Sequence, residues 1–313
     1  MKWSTPSRPR IRQRAWRRIC NVVVDTEVTE FGNTVAAALD TIARQLGSAG
    51  VDSARLDARL LVGAATGETA AGLIARPDRQ LSVREAEQLS TLTARRCARE
   101  PIAHILGVRE FWSLDIEVSR HVLTPRPDSE TIVEAVCTHI APPTRPLRIL
   151  DLGTGSGCLL LALLREYPAA TGVGVDVSPA AIALAQRNSA RLGLGARSAF
   201  VVGDWTASIA ERFDIVVSNP PYIATDEVSQ LAPEVARYEP HAALDGGADG
   251  LDAYRALFPN LYDILTPDGT ALFEMGAGQD AAICALASAC GLVIAGIQAD
   301  MAGIPRVAIL CQP

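Results

Sequence analysis

No run of 18 or more apolar residues occurs in this 313-residue chain, although 49% of it is hydrophobic, so a membrane-spanning helix is not expected. Nor is there a C-x-x-C pair. The seven cysteines (Cys20, Cys97, Cys137, Cys158, Cys284, Cys290, Cys311) are odd in number and widely scattered, which fits reduced, partly buried thiols in a cytosolic protein. The four histidines (His104, His121, His139, His241) are equally dispersed, and no metal site is expected. Acid is missing from Met1 to Cys20, which carries seven basic residues and lacks the apolar stretch of a secretory signal. Removing those seven charges from the formal net −6 leaves −13 on the remainder. An acidic body argues against clamping nucleic acid, which relies on Lys and Arg at the phosphates.

The basic stretch reads as a flexible arm over residues 1–33, because charge runs are usually solvated; a transit peptide for organelle import or an upstream start are the other readings. The length suits two domains. From Thr34 to about Arg99, apolar residues recur at helical spacing in "TVAAALDTIARQLGSAG", "SARLDARLLVGAATG" and "SVREAEQLSTLTARRCARE". Each opens near Thr or Ser, and the first two close at Gly. A helical domain over 34–102 is expected, with packing and partner recognition as its role. "GVREFWSLDIEVSRHVLTPRPDSE" then changes period. Val108 to Phe111 and Leu114 to Val118 read as a hairpin turning at Trp112 and Ser113, within a connection over 103–128.

Residues 129–313 alternate between strand and helix. Strands are expected at Leu147–Leu150, Gly172–Val175, Ala199–Val202, Phe213–Val217 and Ala271–Glu274, with two more near Val293–Ile297 and Arg306–Leu310. Helices are expected at Glu130–Cys137, Cys158–Arg165, Pro179–Arg191, Leu251–Leu265 and Gln279–Ala289. The fold class is therefore α/β, a doubly wound parallel sheet whose ligands sit at the carboxyl ends of the strands.

Those strand ends carry the chemistry. The first runs into Asp151, Leu152, Gly153, Thr154, Gly155, Ser156 and Gly157, then a helix. Glycines there let the backbone turn tightly and a ligand approach closely. The spacing is G-x-G-x-G, and a dinucleotide loop is G-x-G-x-x-G. An acid beside the loop would repel pyrophosphate and suits the cationic methionine part of S-adenosylmethionine, so the methyl donor is favoured over NAD. Asp176 ends the next strand, where a carboxylate can accept both ribose hydroxyls; capping the following helix is the alternative, with Ser178 already placed for it. Asp204 and Trp205 follow the third strand, as an acceptor for an adenine NH2 with an aromatic against the ring, or with Trp205 a buried structural residue.

Asn219, Pro220, Pro221 and Tyr222 end the fourth strand. Two prolines can simply stop a strand. They can also fix carbonyls in space. The Asn219 side-chain oxygen and the Pro220 carbonyl can bind both hydrogens of a planar NH2, with Tyr222 against its flat face and the nitrogen aligned for methyl transfer.

"DLGTGSG" with Asp176, "GDW" and "NPPYIA" resembles the N-methylating branch of the class I S-adenosylmethionine-dependent methyltransferases. "EPIAHILGVREFWSLDIEVSRHVLTPRPDSE", with the helical domain before it, resembles more narrowly the release-factor glutamine methyltransferase family, over roughly residues 34 to 311. "FEMGAGQ" and "DMAGIPRVAIL" are similar to the family's closing strands. The resemblance implies a Rossmann-like seven-stranded sheet and transfer of a methyl group from S-adenosylmethionine to the glutamine amide nitrogen in the Gly-Gly-Gln loop of peptide chain release factors. It implies that the loop Gly153 to Gly157, Asp176 and Trp205 hold the cofactor, and Asn219, Pro220, Pro221 and Tyr222 the glutamine, with Asn219 touching both. A cytoplasmic enzyme is expected. Adenine N6 methylation of nucleic acid shares N-P-P-Y, a sister group modifies a ribosomal protein, and a noncatalytic module would bind cofactor without turnover.

Overall fold

A computed structural model describes residues 31–140, 146–207 and 209–313; the basic stretch before Phe31, with Cys20, lies outside the described residues. The chain divides into two compact units between Ala94 and Arg95.

In the first unit, α1 (Val35–Ser48) begins at Thr34, whose side chain accepts from the Ala37 amide. Its buried residues, Val35, Ala38, Ile42 and Leu46, recur every three or four positions as one apolar stripe. Packed with it is α2 (Ala54–Thr66), which buries Ala58, Leu61 and Val62 and ends at Gly67 with φ 70°. Next come α3 (Ala70–Ala75) and α4 (Val83–Cys97). The latter opens on a capping box: Glu85 accepts from the Ser82 amide at 2.8 Å, and the Ser82 hydroxyl accepts from the Glu85 amide at 3.3 Å.

The second unit opens with α5 (Ile102–Leu106) and the hairpin β1 (Val108–Phe111) and β2 (Leu114–Glu117), paired Phe111 to Leu114 around Trp112 and Ser113 as expected. A 3₁₀ turn at Pro127–Ser129 leads into α6 (Glu130–His139). Then follow β3 (Arg148–Leu152), α7 (Cys158–Glu166), β4 (Thr171–Asp176), α8 (Pro179–Arg191), β5 (Ser198–Val202) and β6 (Phe213–Ser218). Between β6 and β7 (Leu265–Glu274) lie α9 (Thr225–Val228), α10 (Pro233–Ala236), α11 (Asp252–Leu257) and α12 (Leu261–Ile264). Last are α13 (Asp280–Ala289), β8 (Val293–Ala299) and β9 (Pro305–Cys311).

The seven-stranded sheet has the order β5-β4-β3-β6-β7-β9-β8. Two expectations need correction. The sheet is parallel from β5 to β7, but β9 runs antiparallel to both neighbours, entering directly from β8 through a short turn that leaves no length for a crossover. The helix expected over Leu251–Leu265 is three pieces, broken by a 3₁₀ turn at Phe258–Asn260, because Pro259 has no amide hydrogen to continue an α-helix.

Both sheet faces are buried. Ile149, Ile215, Val217 and Leu272 point to the core shared with α6 and α7, while Leu150, Val216, Ala271 and Phe273 point to the one shared with α11 and α13. This alternation is the strand period of two. The chain builds outward from β3 to β5 and then returns to place β6 on the other side of β3. The crevice at that reversal is where an open α/β sheet binds ligand. Because Leu152 pairs with Ser218, the glycine loop and Asn219 leave the sheet side by side.

Candidate active site

The loop after β3 is shaped by backbone that only glycine adopts without strain. Gly153, Gly155 and Gly157 have φ of 73°, 54° and 81°. A Cβ on Gly157 would lie 3.1 Å from the Ala185 Cβ and 3.3 Å from the Phe200 ring, so the glycine also lets α8 and β5 close on the loop. The Gly155 amide donates to Asp176 Oδ2 at 2.9 Å, and the Ser178 amide to Asp176 Oδ1 at 2.8 Å. Asp176 therefore braces the loop while each oxygen keeps acceptor capacity. Ser178 caps α8, its hydroxyl accepting from the Ala181 amide.

Asp151 lies under the loop with no exposed surface. Its Oδ2 accepts from the Thr154 hydroxyl at 2.6 Å, and its Oδ1 is a buried acceptor with no hydrogen bond. Burial pushes its carboxyl up to about 7, against the Thr154 hydrogen bond. Asn188 ties the loop to the hairpin. Its Nδ2 donates to the Ser156 carbonyl at 2.9 Å and the Glu117 carbonyl at 3.0 Å, and its Oδ1 accepts from the Glu117 amide at 2.7 Å.

Asn219 donates from Nδ2 to the Ser129 hydroxyl at 2.8 Å, which turns its Oδ1 away from Ser129. Pro220 is buried. The Tyr222 hydroxyl donates to Glu274 Oε1 at 3.1 Å, and its ring packs against the core that includes Phe273 and Met275. The Tyr222 carbonyl accepts from Gln279 Nε2 at 2.9 Å, and Gln279 Oε1 accepts from the Gly276 amide at 2.9 Å. Glu274, at the end of β7, has no exposed surface, and burial raises its carboxyl to about 7.

Among these residues lies one cleft, open to solvent. Of the residues expected from the sequence, Gly153, Thr154, Gly155, Asp176, Asp204, Trp205, Asn219 and Pro221 line it. Asp151, Ser156, Gly157, Pro220 and Tyr222 are not in the wall. Trp205, at φ 46°, stands over the glycine loop, its ring 3.3 Å from where a Gly153 Cβ would be, and it borders both the cleft and the core. Sequence reasoning missed Ser129, Asn188, Glu274 and Gln279. An acid closing the otherwise apolar stretch Ala271 to Phe273 was the available signal for Glu274. The segment after N-P-P-Y lends Pro240, Ala242 and Ala243 to the wall. Glu234 of that segment accepts from Arg96 at 2.9 Å and Arg99 at 2.6 Å, and Glu239 from Arg126 at 2.7 Å.

The donor set suits S-adenosylmethionine. Glycines leave room for close backbone approach, Asp176 and Asp204 offer acceptors at the strand ends, and Asp151 places a buried acid under the loop, one oxygen of it bonded to Thr154 and the other without a hydrogen bond, suited to a nearby cation.

Comparison with known proteins agrees with the geometry. Residues 37–107 match the PrmC N-terminal domain family and 130–241 the methyltransferase small domain family. The release factor glutamine methyltransferase of Bradyrhizobium diazoefficiens is 47% identical over 278 residues, covering 88% of this chain and 94% of the relative. That of Rhodospirillum rubrum is 45% identical, covering 90% and 86%. Among solved structures, the hMettl16 catalytic domain in complex with an RNA hairpin superposes with a TM-score of 0.50 over 75% of this chain and 84% of that one, at 17% identity, a likeness of fold. With such identity across nearly its whole described length, the chain belongs to the release factor glutamine methyltransferase family.

Proposed function

We infer that this chain is an S-adenosylmethionine-dependent protein-(glutamine-N5) methyltransferase acting on the Gly-Gly-Gln glutamine of peptide chain release factors. The observation that carries the reading is the orientation of Asn219: with Nδ2 given to Ser129, an amide oxygen is left at the cleft wall.

Bound in the cleft, S-adenosylmethionine supplies a methyl group activated by a positively charged sulfur. The amide nitrogen of glutamine is a poor nucleophile because its lone pair is shared with the neighbouring carbonyl. Asn219 Oδ1 and the Pro220 carbonyl accept its two hydrogens, which draws the nitrogen toward a tetrahedral shape and localises the lone pair. Such contacts strengthen as charge develops on nitrogen, so they lower the barrier rather than only binding substrate. Tyr222, held by Glu274 and Gln279, fixes the backbone that carries both acceptors. Asp176, Asp204 and Trp205 hold the nucleoside end of the cofactor, and Gly153 to Gly157 with Asp151 its amino-acid end.

In this reading residues 34–102 recognise the factor, 103–128 connect, 129–313 carry out transfer, and the reaction takes place in the cytoplasm where a translation factor is met. The −13 body favours a protein over a nucleic-acid substrate.

Mass spectrometry of a release factor incubated with this protein and S-adenosylmethionine, beside a Gln→Ala control in its Gly-Gly-Gln loop, tests the substrate. One added methyl on that glutamine, absent in the control, is expected; methyl on DNA or RNA and none on the factor would overturn the reading. Asn219→Ala should leave cofactor affinity largely intact while lowering the rate by roughly 10² or more, as for loss of a preorganised transition-state hydrogen bond.

A further inference from the structure

A glutamine that belongs to a folded protein arrives at Asn219 with a surface around it. A specific protein interface covers about 800 Å² on each partner, a disc of roughly 16 Å radius. Centred on the cleft, such a footprint reaches past the cleft walls and onto the ends of the neighbouring strands. The two glycines of a Gly-Gly-Gln loop offer no side chain to grip, so affinity has to come from the surface that flanks them.

Strand register fixes what stands there. Ser218, the last residue of β6, pairs with Phe273 of β7, and Phe273 pairs with Ala308 of β9. With neighbouring strands about 4.8 Å apart, β9 lies about 10 Å across the sheet from the strand end that carries Asn219. The β8–β9 turn, Asp300 to Ile304, leaves the sheet at the Ala299–Pro305 pair, on the same edge as Asn219. Three residues separate Pro305 from Ala308, so the turn rises about 10 Å beyond the row of Ser218, within the footprint. It is also tied to the cleft wall. Arg306, bonded to Asp300 at 2.9 Å, reaches Asp128 at 3.2 Å, between the cleft-lining Arg126 and Ser129.

The turn is held in one shape. Asp300 Oδ1 accepts from the amides of Ala302 at 2.9 Å and Ile304 at 3.0 Å, the Asp300 carbonyl accepts from the Gly303 amide at 2.9 Å, and the Asp300 amide donates to the Ile304 carbonyl at 2.9 Å. What this frame holds out is uncharged. Met301 is fully exposed, Ala302 and Gly303 beside it are exposed, and so are Ala277 and Gly278 in the loop that leaves the same edge after β7. A single exposed apolar side chain is ordinary on a surface. Here it stands on a preorganised turn at the entrance to the site, and preorganisation lowers the entropy lost on binding. Methionine is enriched at protein interfaces, where its flexible thioether adapts to the partner.

We propose that the β8–β9 turn is a docking element for the release factor, with Met301 packing against apolar side chains that flank the Gly-Gly-Gln loop; this rests on the release factor being the substrate. The turn adds affinity for the factor and takes no part in methyl transfer or in cofactor binding.

The test is steady-state methylation of an intact release factor by the full chain and its variants Met301→Ala, Met301→Glu and Tyr262→Glu, with the Kd for the factor and for S-adenosylmethionine measured separately. Tyr262 is the control, exposed as Met301 is but just before β7, at the opposite edge of the sheet. Met301→Ala should raise the KM and Kd for the factor by about 5- to 10-fold, the scale of an interface anchor, and Met301→Glu by more, because it sets a charge against an apolar surface. The kcat at saturating factor and the Kd for S-adenosylmethionine should stay within about twofold of wild type, and Tyr262→Glu should change nothing. An unchanged KM in Met301→Glu, or a loss that falls on kcat or on cofactor affinity, would overturn the proposal. So would a wild type that self-associates in sedimentation and a Met301→Glu variant that is monomeric with its KM intact, which would make the turn a contact between copies of this chain. A wild type that leaves the Gly-Gly-Gln glutamine unmethylated would instead remove the substrate reading itself, whereas methylation by the wild type beside an unimpaired Met301→Glu would remove only the docking element.

Discussion

Asn188 sits in the middle of α8, where asparagine is a poor helix former, and has no exposed surface. Its three hydrogen bonds to the backbone of Glu117 and Ser156 account for its presence. Replacing it with Leu keeps much of the volume but leaves two carbonyls and an amide without their partner. At roughly 1 to 3 kcal/mol for each buried group left unsatisfied, less whatever water restores, Asn188→Leu should lower stability by about 2 kcal/mol or more. Denaturant unfolding checks this, and an unchanged midpoint would mean that the hairpin and loop hold their places without the amide. At this scale the sequence was legible where a residue works by position along the chain. Asp176 and Asn219 stand at strand ends, and strand ends are visible. Ser129, Asn188 and Glu274 work by position in space: the partners of Ser129 and Asn188 lie 90 and 71 residues away, and that of Glu274 lies 52.

The hairpin turn shows a conflict at the scale of an element. Trp112 and Ser113 both have positive φ, at 50° and 59°, as a two-residue turn of this type requires, yet neither is glycine or asparagine. Neighbouring carboxylates hold the turn. Glu130 accepts from the Trp112 amide at 2.9 Å, Glu110 from the Ser113 amide at 2.6 Å and Glu166 from the indole at 2.7 Å. A left-handed non-glycine residue costs about 1 to 2 kcal/mol, and glycine gives back about 0.5 to 1 kcal/mol in chain entropy. Ser113→Gly, at an exposed site, should therefore raise stability by about 0.5 to 1 kcal/mol, whereas Trp112→Gly should lower it through the lost indole packing and hydrogen bond. Thermal unfolding of both variants decides; destabilisation by Ser113→Gly would show that the strain is not there to relieve. The period of two flanking Trp112 and Ser113 made the hairpin legible. The apolar spacing through Leu251–Leu265 suggested one helix, and Pro259 divided it, because backbone donors outrank side-chain pattern.

Across the whole molecule, the acids beneath the site set a pH dependence of stability. Asp151 and Glu274 titrate near 7 in the folded chain, against ordinary values of 3.8 and 4.5. Between those limits the folded chain holds protons that the unfolded chain has released, so stability falls as pH rises toward 7 and is level above it. His104, whose pKa burial lowers, works in the opposite sense below its ordinary 6.5. Glu85 and Glu234, held down to about 2 although burial opposes it, the former chiefly by Arg79 and the latter by Arg99 and Arg96, lose their contribution only in stronger acid. Tm of the cofactor-free protein should therefore be higher near pH 5.5 than near pH 8, and Glu274→Gln should flatten the difference. A wild-type Tm that climbs over that interval would contradict the burial of these two charges.

The sequence by itself determined the helical first unit, the alternating second unit, the glycine loop with its two acids, and N-P-P-Y at the next strand end. Each is a contiguous signal, set by local backbone geometry and by hydrophobic period. Only the tertiary structure decided that β9 runs antiparallel, that Asp151 and Tyr222 are not among the residues lining the cleft, and that the Ser129 hydroxyl meets Asn219. A hydrogen bond's direction depends on which distant donor or acceptor the packed core brings within about 3 Å, and linear order carries no such distance.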